Sequence, residues 1–302
     1  MFTWVTTIIG SLISVAFATL LERKTLRYTQ NRKGPNKVSI SGILQPAGDG
    51  VKLLFKAHIQ PVTANSWPFI IGPASSFILF LLFWLFYSLP YSSLIFLHSA
   101  LLIVCVSSLK VYTLLTSGWS RNSKYSLLGA LRATAQTISY EVSLVFLILF
   151  PISTQRSRTL TECVSHPSFS LWLSVSVLLL WVISFLAERN RAPFDFAEGE
   201  RELVSGFNTE YASIPFTLLF LAEYGSIIFF SWLTTLLFLH FFKLSSILFP
   251  LCTSAITYFT FWVRATLPRF RYDFLMSLCW KGILPLIIII LCLVFSTSFS
   301  NP

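Results

Sequence analysis

Eight apolar runs of about 20 residues dominate the chain and limit what it can fold into. An apolar helix of that length matches the hydrocarbon core of a bilayer, which is about 30 Å thick. In water the same runs would expose far more contiguous apolar surface than a soluble monomer carries. Only 11% of the residues are charged, against about 25% in soluble domains. The sequence therefore predicts an all-α, multi-spanning membrane protein.

We expect one membrane domain over residues 1–302 with eight transmembrane helices. The fourth and sixth spans are weaker because they carry Glu141 and Glu223 among apolar residues. The first run lacks the basic segment and the small-residue cleavage site of a signal peptide, so we predict a span there. The spans are predicted at about residues 2–21, 69–89, 94–116, 131–152, 169–187, 212–240, 245–263 and 282–299.

The basic residues lie almost entirely in or beside every second connection between the predicted spans. Nineteen of the 22 Lys and Arg residues fall on one side and three on the other. Under the positive-inside rule, both termini then face the compartment opposite the basic loops. The basic loops are predicted at residues 22–68, 117–130, 188–211 and 264–281.

Residues 41–56, in the first basic loop, have the pattern of an amphipathic helix that lies on the membrane surface. Apolar residues recur at helical spacing on one face, and Asp49 lies with two lysines on another. Pro46 and two glycines are unfavourable within such a helix.

Several classes of function are disfavoured. The net charge of +10 does not indicate nucleic-acid binding, because the basic residues flank apolar runs instead of alternating with aromatic residues on a polar surface. The five cysteines have no C-x-x-C spacing, and the four histidines form no i, i+4 pair. Motifs of serine hydrolases, zinc proteases and phosphate-binding loops are absent. We therefore expect no metal site and no redox centre in this chain.

Glu141 and Glu223 are candidate proton carriers because they lie inside predicted spans. A carboxylate at that depth must be paired, protonated or in contact with water, and a group that exchanges protons readily suits a relay. The alternative is a carboxylate satisfied by a neighbouring helix, with Lys110 as a possible partner for Glu141. Lys110 itself is expected to extend toward the basic face.

The segment after the fifth span concentrates the acidic residues. Seven of the twelve lie between Glu188 and Glu223. Pro193 is expected to end the fifth helix, and Asp195 with Glu198 resembles a capping box that begins a short helix. A solvated charged loop is the ordinary alternative, but the clustering beside arginines favours function. The spacing of these acids along the sequence does not identify a general acid and its matching base.

Several longer motifs lie along the chain: LERKTLRYTQNRKGPN at 21–36, AQTISYE at 135–141, NRAPFD at 190–195, ELVSGFN at 202–208 and PRFRYD at 268–273. Together they resemble, in order and over nearly the whole chain, the quinone-site membrane subunits of respiratory complex I, the family of NADH:ubiquinone oxidoreductase chain 1.

This resemblance implies an eight-helix subunit of the mitochondrial inner membrane, with basic loops in the matrix and both termini in the intermembrane space. It implies a narrow tunnel that admits ubiquinone as substrate. The expected partners are other complex I subunits, namely the peripheral-arm subunits at the quinone site and neighbouring small membrane subunits, together with lipids but no nucleic acid. No cofactor is expected in the chain; FMN and iron–sulfur clusters are expected in partner subunits.

The resemblance implies roles for three groups of residues. The proton path would include Asp49, Glu141, Glu188, Glu198, Glu200, Glu202, Glu210 and Glu223. The quinone tunnel would involve Glu22, Arg23, Arg32, Phe220 and Arg271. Arg191 and Asp195 are expected to organise the charged loop between the fifth and sixth spans.

The chain departs from the family's usual pattern at several positions. Arg189 stands where Thr is usual and Arg201 where Ser is usual, so the charged loop carries two additional cations. Lys110 replaces a small residue.

Two other classes of function remain open. A stand-alone proton or ion transporter also uses intramembrane carboxylates, but we find no internal repeat of the kind common in transporters. A structural membrane anchor would gain nothing from burying Glu141 and Glu223.

Overall fold

The protein is all-helical in the part of the chain that the structure describes. That structure is a computed structural model and covers residues 2–57, 59–87, 98–155, 171–196, 210–239 and 247–300. All regular secondary structure in these ranges is helical. The predicted all-α class is therefore confirmed.

The described helices are numbered α1 to α10 in chain order. They are α1 (Phe2–Thr29), α2 (Gln45–Phe55), α3 (Ser66–Leu85), α4 (Ser99–Trp119), α5 (Lys124–Gln155), α6 (Leu171–Glu188), α7 (Ser213–Thr234), α8 (Leu248–Thr266), α9 (Tyr272–Ser277) and α10 (Leu284–Ser300). A π-helical segment, Thr235–Leu239, continues α7, and another, Leu278–Ile283, joins α9 to α10.

Six helical segments in the described ranges are long and apolar enough to cross a bilayer. They are Trp4–Thr29, Ser66–Leu85, Ser99–Trp119, Lys124–Thr154, Ser213–Leu239 and Tyr272–Ser296. The other two predicted spans coincide with α6 and α8. The apolar helix within α6 is shorter, at Val175–Glu188, and the 19-residue α8 is not among the six. The predicted count of eight spans is therefore not confirmed.

Helix α1 extends to Thr29, whereas the prediction ended it near residue 21. Its second half contains leucine, glutamate, lysine and arginine, all good helix formers, so nothing interrupts the hydrogen-bonded ladder. The helix ends before Asn31, which adopts a left-handed conformation with φ of 53°. Glu22 and Arg23 consequently lie on α1 and not in the following loop.

The predicted surface helix is present as α2, and it begins at Gln45, with Pro46 in its first turn. Proline is tolerated there because the first amide groups of a helix have no intrahelical acceptor. Helix α2 packs against α1 and α7. Its outer apolar residues are exposed, with Phe55 at 87%.

The most extensive helix packing joins α4 with α5, α3 with α7, and α3 with α4. Aromatic rings fill the space between α3 and α7, where Phe83 lies 5.0 Å from Phe229 and 5.9 Å from Phe230 between ring centroids. Phe185 of α6 stacks on Phe230 at 6.0 Å. These contacts bring α3, α6 and α7 together around one buried region.

Gly118 permits the close approach of α4 and α5. A Cβ atom at this position would lie 2.2 Å from the Ala130 Cβ atom, and neither group is flexible. Gly118→Ala is expected to lower the free energy of unfolding by about 1–3 kcal/mol. Thermal denaturation in detergent measures this.

Gly10→Ala is the matched control, because a Cβ atom at Gly10 meets nothing within 4 Å. Alanine there favours the helix by about 0.5–1 kcal/mol. Equal denaturation temperatures for the two variants would contradict the packing described for Gly118.

Candidate functional site

Among the sequence-selected acids in the described ranges, Glu188 is the most deeply buried. It is the last residue of α6 and only 2% exposed. Its Oε2 atom has no hydrogen-bond partner within the described structure. A carboxyl group that is buried with an unpartnered oxygen is expected to be protonated or to be in contact with water.

The end of α6 and the turn after it carry three charged residues, Glu188, Arg189 and Arg191. Asn190 has a φ of 50°, and its amide donates to the Ala187 carbonyl oxygen at 3.2 Å. The Arg191 amide donates to the Leu186 carbonyl oxygen at 3.3 Å. These two bonds form a Schellman motif, which ends the helix before Pro193. The prediction that Pro193 ends the fifth helix was therefore wrong, because Asn190 already supplies the left-handed residue.

Gln136 of α5 holds this turn from the other side. Its fully buried side-chain amide donates to the carbonyl oxygens of Ala187 at 2.7 Å and Phe194 at 2.9 Å. Sequence reasoning included Gln136 only as part of the motif at 135–141 and assigned it no role. Its structural role is to donate hydrogen bonds, as a buried uncharged amide, to two backbone carbonyl oxygens at and just after the end of α6.

Lys110 and Glu223 meet beside Glu188. The Lys110 ammonium nitrogen lies 3.5 Å from the Glu188 carbonyl oxygen. Lys110, Arg189 and Glu223 line a cavity of about 30 Å³ between α3, α4 and α7, which has room for roughly two water molecules. Lys110 thus interacts electrostatically with Glu188 and Glu223, and no ion pair in the described ranges joins it to Glu141.

Arg189 is buried in the same region, although the sequence placed it in a charged loop. It is 4% exposed, and its guanidinium carbon lies 3.6 Å from the centroid of the Phe230 ring. None of its three guanidinium nitrogens has a hydrogen-bond partner within the described structure. The cation is therefore stabilised partly by the aromatic face, and it offers N–H donors to the cavity.

Glu141 lies near the middle of α5 and is half-buried. It interacts electrostatically with Glu188. Glu141 on α5 therefore lies near Glu188 at the end of α6, and Lys110 lies between Glu188 and the cavity that Glu223 of α7 lines. The structure brings these three sequence-predicted acids into one region.

A second acid, Glu22, lies at the centre of a separate polar cluster. It is 3% exposed, and its Oε2 atom accepts a hydrogen bond of 2.5 Å from the Tyr224 hydroxyl. Arg264 of α8 forms an ion pair with its Oε1 atom, and the Arg191 guanidinium lies 3.7 Å from that atom. Glu22 therefore connects α1, α7, α8 and the turn after α6.

Aromatic residues line one face of α7 beside this cluster. Phe216 and Phe220 have ring centroids 4.3 Å apart, and Phe220 stacks on Tyr224 at 6.2 Å. Arg191 lies over the Tyr224 ring at 4.4 Å. The row forms a continuous aromatic surface that ends at the Glu22 carboxylate.

The model of the NADH dehydrogenase family matches residues 2–295 of the chain. The chain belongs to the NADH dehydrogenase family.

Three relatives in this family are each named NADH-ubiquinone oxidoreductase chain 1. The protein from Artemia franciscana is 48% identical over 292 residues, which cover 95% of both chains. The protein from Notamacropus eugenii is 48% identical over 297 residues, 95% of this chain and 93% of the relative. The protein from Aedes aegypti is 49% identical over 286 residues, 92% of this chain and 90% of the relative.

In this NADH dehydrogenase family member, other candidate residues lie at the protein surface. Asp49 accepts hydrogen bonds from Arg23 at 2.5 Å and from Gln45 at 3.0 Å. Arg32 and Arg271 are exposed. These residues do not join the buried acids.

Arg121 forms a further buried contact that sequence reasoning missed. It is fully buried, lies 3.9 Å above the Tyr211 ring and interacts electrostatically with Glu210. Burial lowers the pKa of Arg121 to about 10 and raises the pKa of Tyr211. The guanidinium therefore stays charged at neutral pH and fixes the chain where it enters α7.

Asp195 and Arg269 connect two segments on the predicted basic side. The Arg269 guanidinium lies 3.4 Å from an Asp195 carboxylate oxygen, and the Phe270 amide donates to the Pro193 carbonyl oxygen at 3.2 Å. This geometry fits the expected organising role of Asp195. Glu198, Glu200 and Glu202 lie outside the described residues, and so does the short helix that the Asp195–Glu198 capping box was predicted to begin.

Proposed function

We propose that the chain is a core membrane subunit of a proton-pumping NADH:ubiquinone oxidoreductase, in which it contributes to the quinone path and to proton coupling. The observation that carries this proposal is the group of three acids on α5, α6 and α7, namely the buried Glu188 and the half-buried Glu141 and Glu223. The names of the relatives supply the reaction class, and the acids supply a chemical reason for this subunit to take part in it.

Quinone reduction requires groups that donate and relay protons. Reducing ubiquinone with two electrons consumes two protons and passes through states with added negative charge. Carboxylic acids beside water-sized space relay protons, and nearby cations stabilise negative charge. The cavity shared by Lys110, Arg189 and Glu223 provides both kinds of group.

The aromatic row on α7 is a suitable wall for an isoprenoid quinone. Phe220 lies within this row, next to Tyr224 and the Glu22 cluster. An apolar tail gains free energy by contact with aromatic rings, while the polar head group requires hydrogen-bond partners. We therefore keep Phe220 and Glu22 in the proposed tunnel, with Arg23, Arg32 and Arg271 on its outer side.

The remaining acids extend the proposed proton path, from Asp49 at the surface to Glu210 and the acids at 198–202. The chain acts as one membrane domain of the mitochondrial inner membrane. Its basic loops face the matrix, and both termini face the intermembrane space. Electrons arrive from FMN and iron–sulfur clusters held by partner subunits.

Isolation in mild detergent tests this function. We expect the chain to be recovered within a large assembly whose NADH:ubiquinone reductase activity is abolished by a quinone-site inhibitor. A stand-alone transporter would instead be recovered alone and move protons in vesicles without NADH. Recovery of the chain with partners that show no inhibitor-sensitive reductase activity would contradict the proposal and favour a structural anchor.

A further inference from the structure

Lys110 occupies an unfavourable position for a cation. It is the twelfth of the 21 residues of α4, within an apolar run. A charge at that depth is costly unless it is paired or reaches water. The side chain is half-buried and ends at the Glu188 carbonyl oxygen, 3.5 Å away. The Lys110 ammonium group therefore depends on polar partners inside the protein.

Charged groups from two directions face the Lys110 ammonium. The end of α6 and the turn after it contribute Glu188, Arg189 and Arg191, and α7 contributes Glu223. Ser76 of α3 adds a hydroxyl group to the shared cavity. Glu141 of α5 interacts with Glu188.

We propose that Lys110 is a positioning residue that stabilises the ionised forms of both Glu188 and Glu223, and so sets the pH range in which the two acids exchange protons. This inference rests on the function proposed above.

The effect follows from one positive charge placed beside acids on two different helices. With both carboxylates ionised, the group of Glu188, Glu223, Lys110 and Arg189 is electrically neutral. Protonating either acid leaves an unbalanced positive charge that stabilises the other carboxylate. A second proton is therefore harder to add than the first. Without Lys110 the group would be neutral only with one proton on the two acids, so Lys110 favours the state in which both carboxylates are ionised.

Two variants of the assembled complex separate the charge of Lys110 from its packing. Lys110→Gln keeps an N–H donor for the Glu188 carbonyl but removes the charge, and Lys110→Arg keeps the charge. We expect Lys110→Gln to displace the pH profile of inhibitor-sensitive ubiquinone reduction upward by about one pH unit. Lys110→Arg should retain the wild-type profile, and the KM for ubiquinone should change in neither.

Lys52→Gln is the matched control, because Lys52 is exposed on α2 and should leave the profile unchanged. In a double variant with Glu223→Gln, removing Lys110 should add less displacement than it does alone. An unshifted Lys110→Gln profile, an equal shift in Lys110→Arg, or failure of either variant to assemble would overturn the inference. A wild-type complex without inhibitor-sensitive activity would instead overturn the proposed function.

Discussion

Glu22→Gln is expected to destabilise the protein more than any other single substitution considered. The change leaves Arg264 and Arg191 beside a neutral side chain, and it weakens the acceptor of the Tyr224 hydroxyl. Breaking a buried ion pair by removing one partner costs about 3–5 kcal/mol. We expect about 3 kcal/mol, the lower end, because the Arg264 side chain is 36% exposed and solvent screens it.

The amount of assembled complex in membranes and its thermal denaturation temperature measure this effect. Asp49→Asn is the matched control, since it removes an ion pair whose side chains are 53% and 34% exposed. Such surface pairs contribute about 0–1 kcal/mol. If the two variants assembled to the same extent, Glu22 would not be the connection between helices that its contacts indicate.

Glu188→Gln and Glu223→Gln are expected to have the largest effects on activity. Glutamine has nearly the size of glutamic acid but cannot exchange a proton, so packing around the cavity should be kept. Loss of a group that relays protons lowers a rate by about 10²–10⁴-fold. For each variant we expect the rate of inhibitor-sensitive ubiquinone reduction to fall by about 10²–10⁴-fold.

NADH oxidation by an artificial electron acceptor should stay at the wild-type rate in both variants, because that reaction does not use the quinone path. Asp273→Asn is the control, since Asp273 is exposed on α9 and outside the proposed path. A wild-type rate of ubiquinone reduction in assembled Glu188→Gln and Glu223→Gln would rule out the relay.

Apolar runs predicted the helices well because the signal is local. A run of about 20 apolar residues must be helical in a bilayer, since each backbone group needs a partner within its own segment. Helix ends were harder to place. Asn31, Asn122 and Asn190 each adopt a left-handed conformation and end α1, α4 and α6. Asparagine after a helical run is a recognised stop signal, and it was available in the sequence.

The buried partners were less predictable because they are distant along the chain. Glu22 meets Tyr224 and Arg264 across more than 200 residues. A sequence shows that a carboxylate near a bilayer needs a partner, but not which of many cations or hydroxyl groups the helix packing supplies. For the same reason Lys110 was considered for Glu141, while its ammonium lies against Glu188.

Arg189 illustrates a second limit. In the sequence it belongs to a dense charged segment, where solvation is the ordinary expectation. The turn at Asn190 instead directs it inward, over Phe230. Cation–π contact depends on the position of a ring on another helix, and no local pattern reports that position.

The central claim is that Glu188 and Glu223 exchange protons while quinone is reduced. Infrared difference spectra of the assembled complex, recorded between its oxidised and quinone-reduced states, test it most directly. We predict carboxyl C=O bands that shift in D₂O, with one component lost in Glu188→Gln and another in Glu223→Gln. Difference spectra identical to those of the wild type in both variants would contradict the claim.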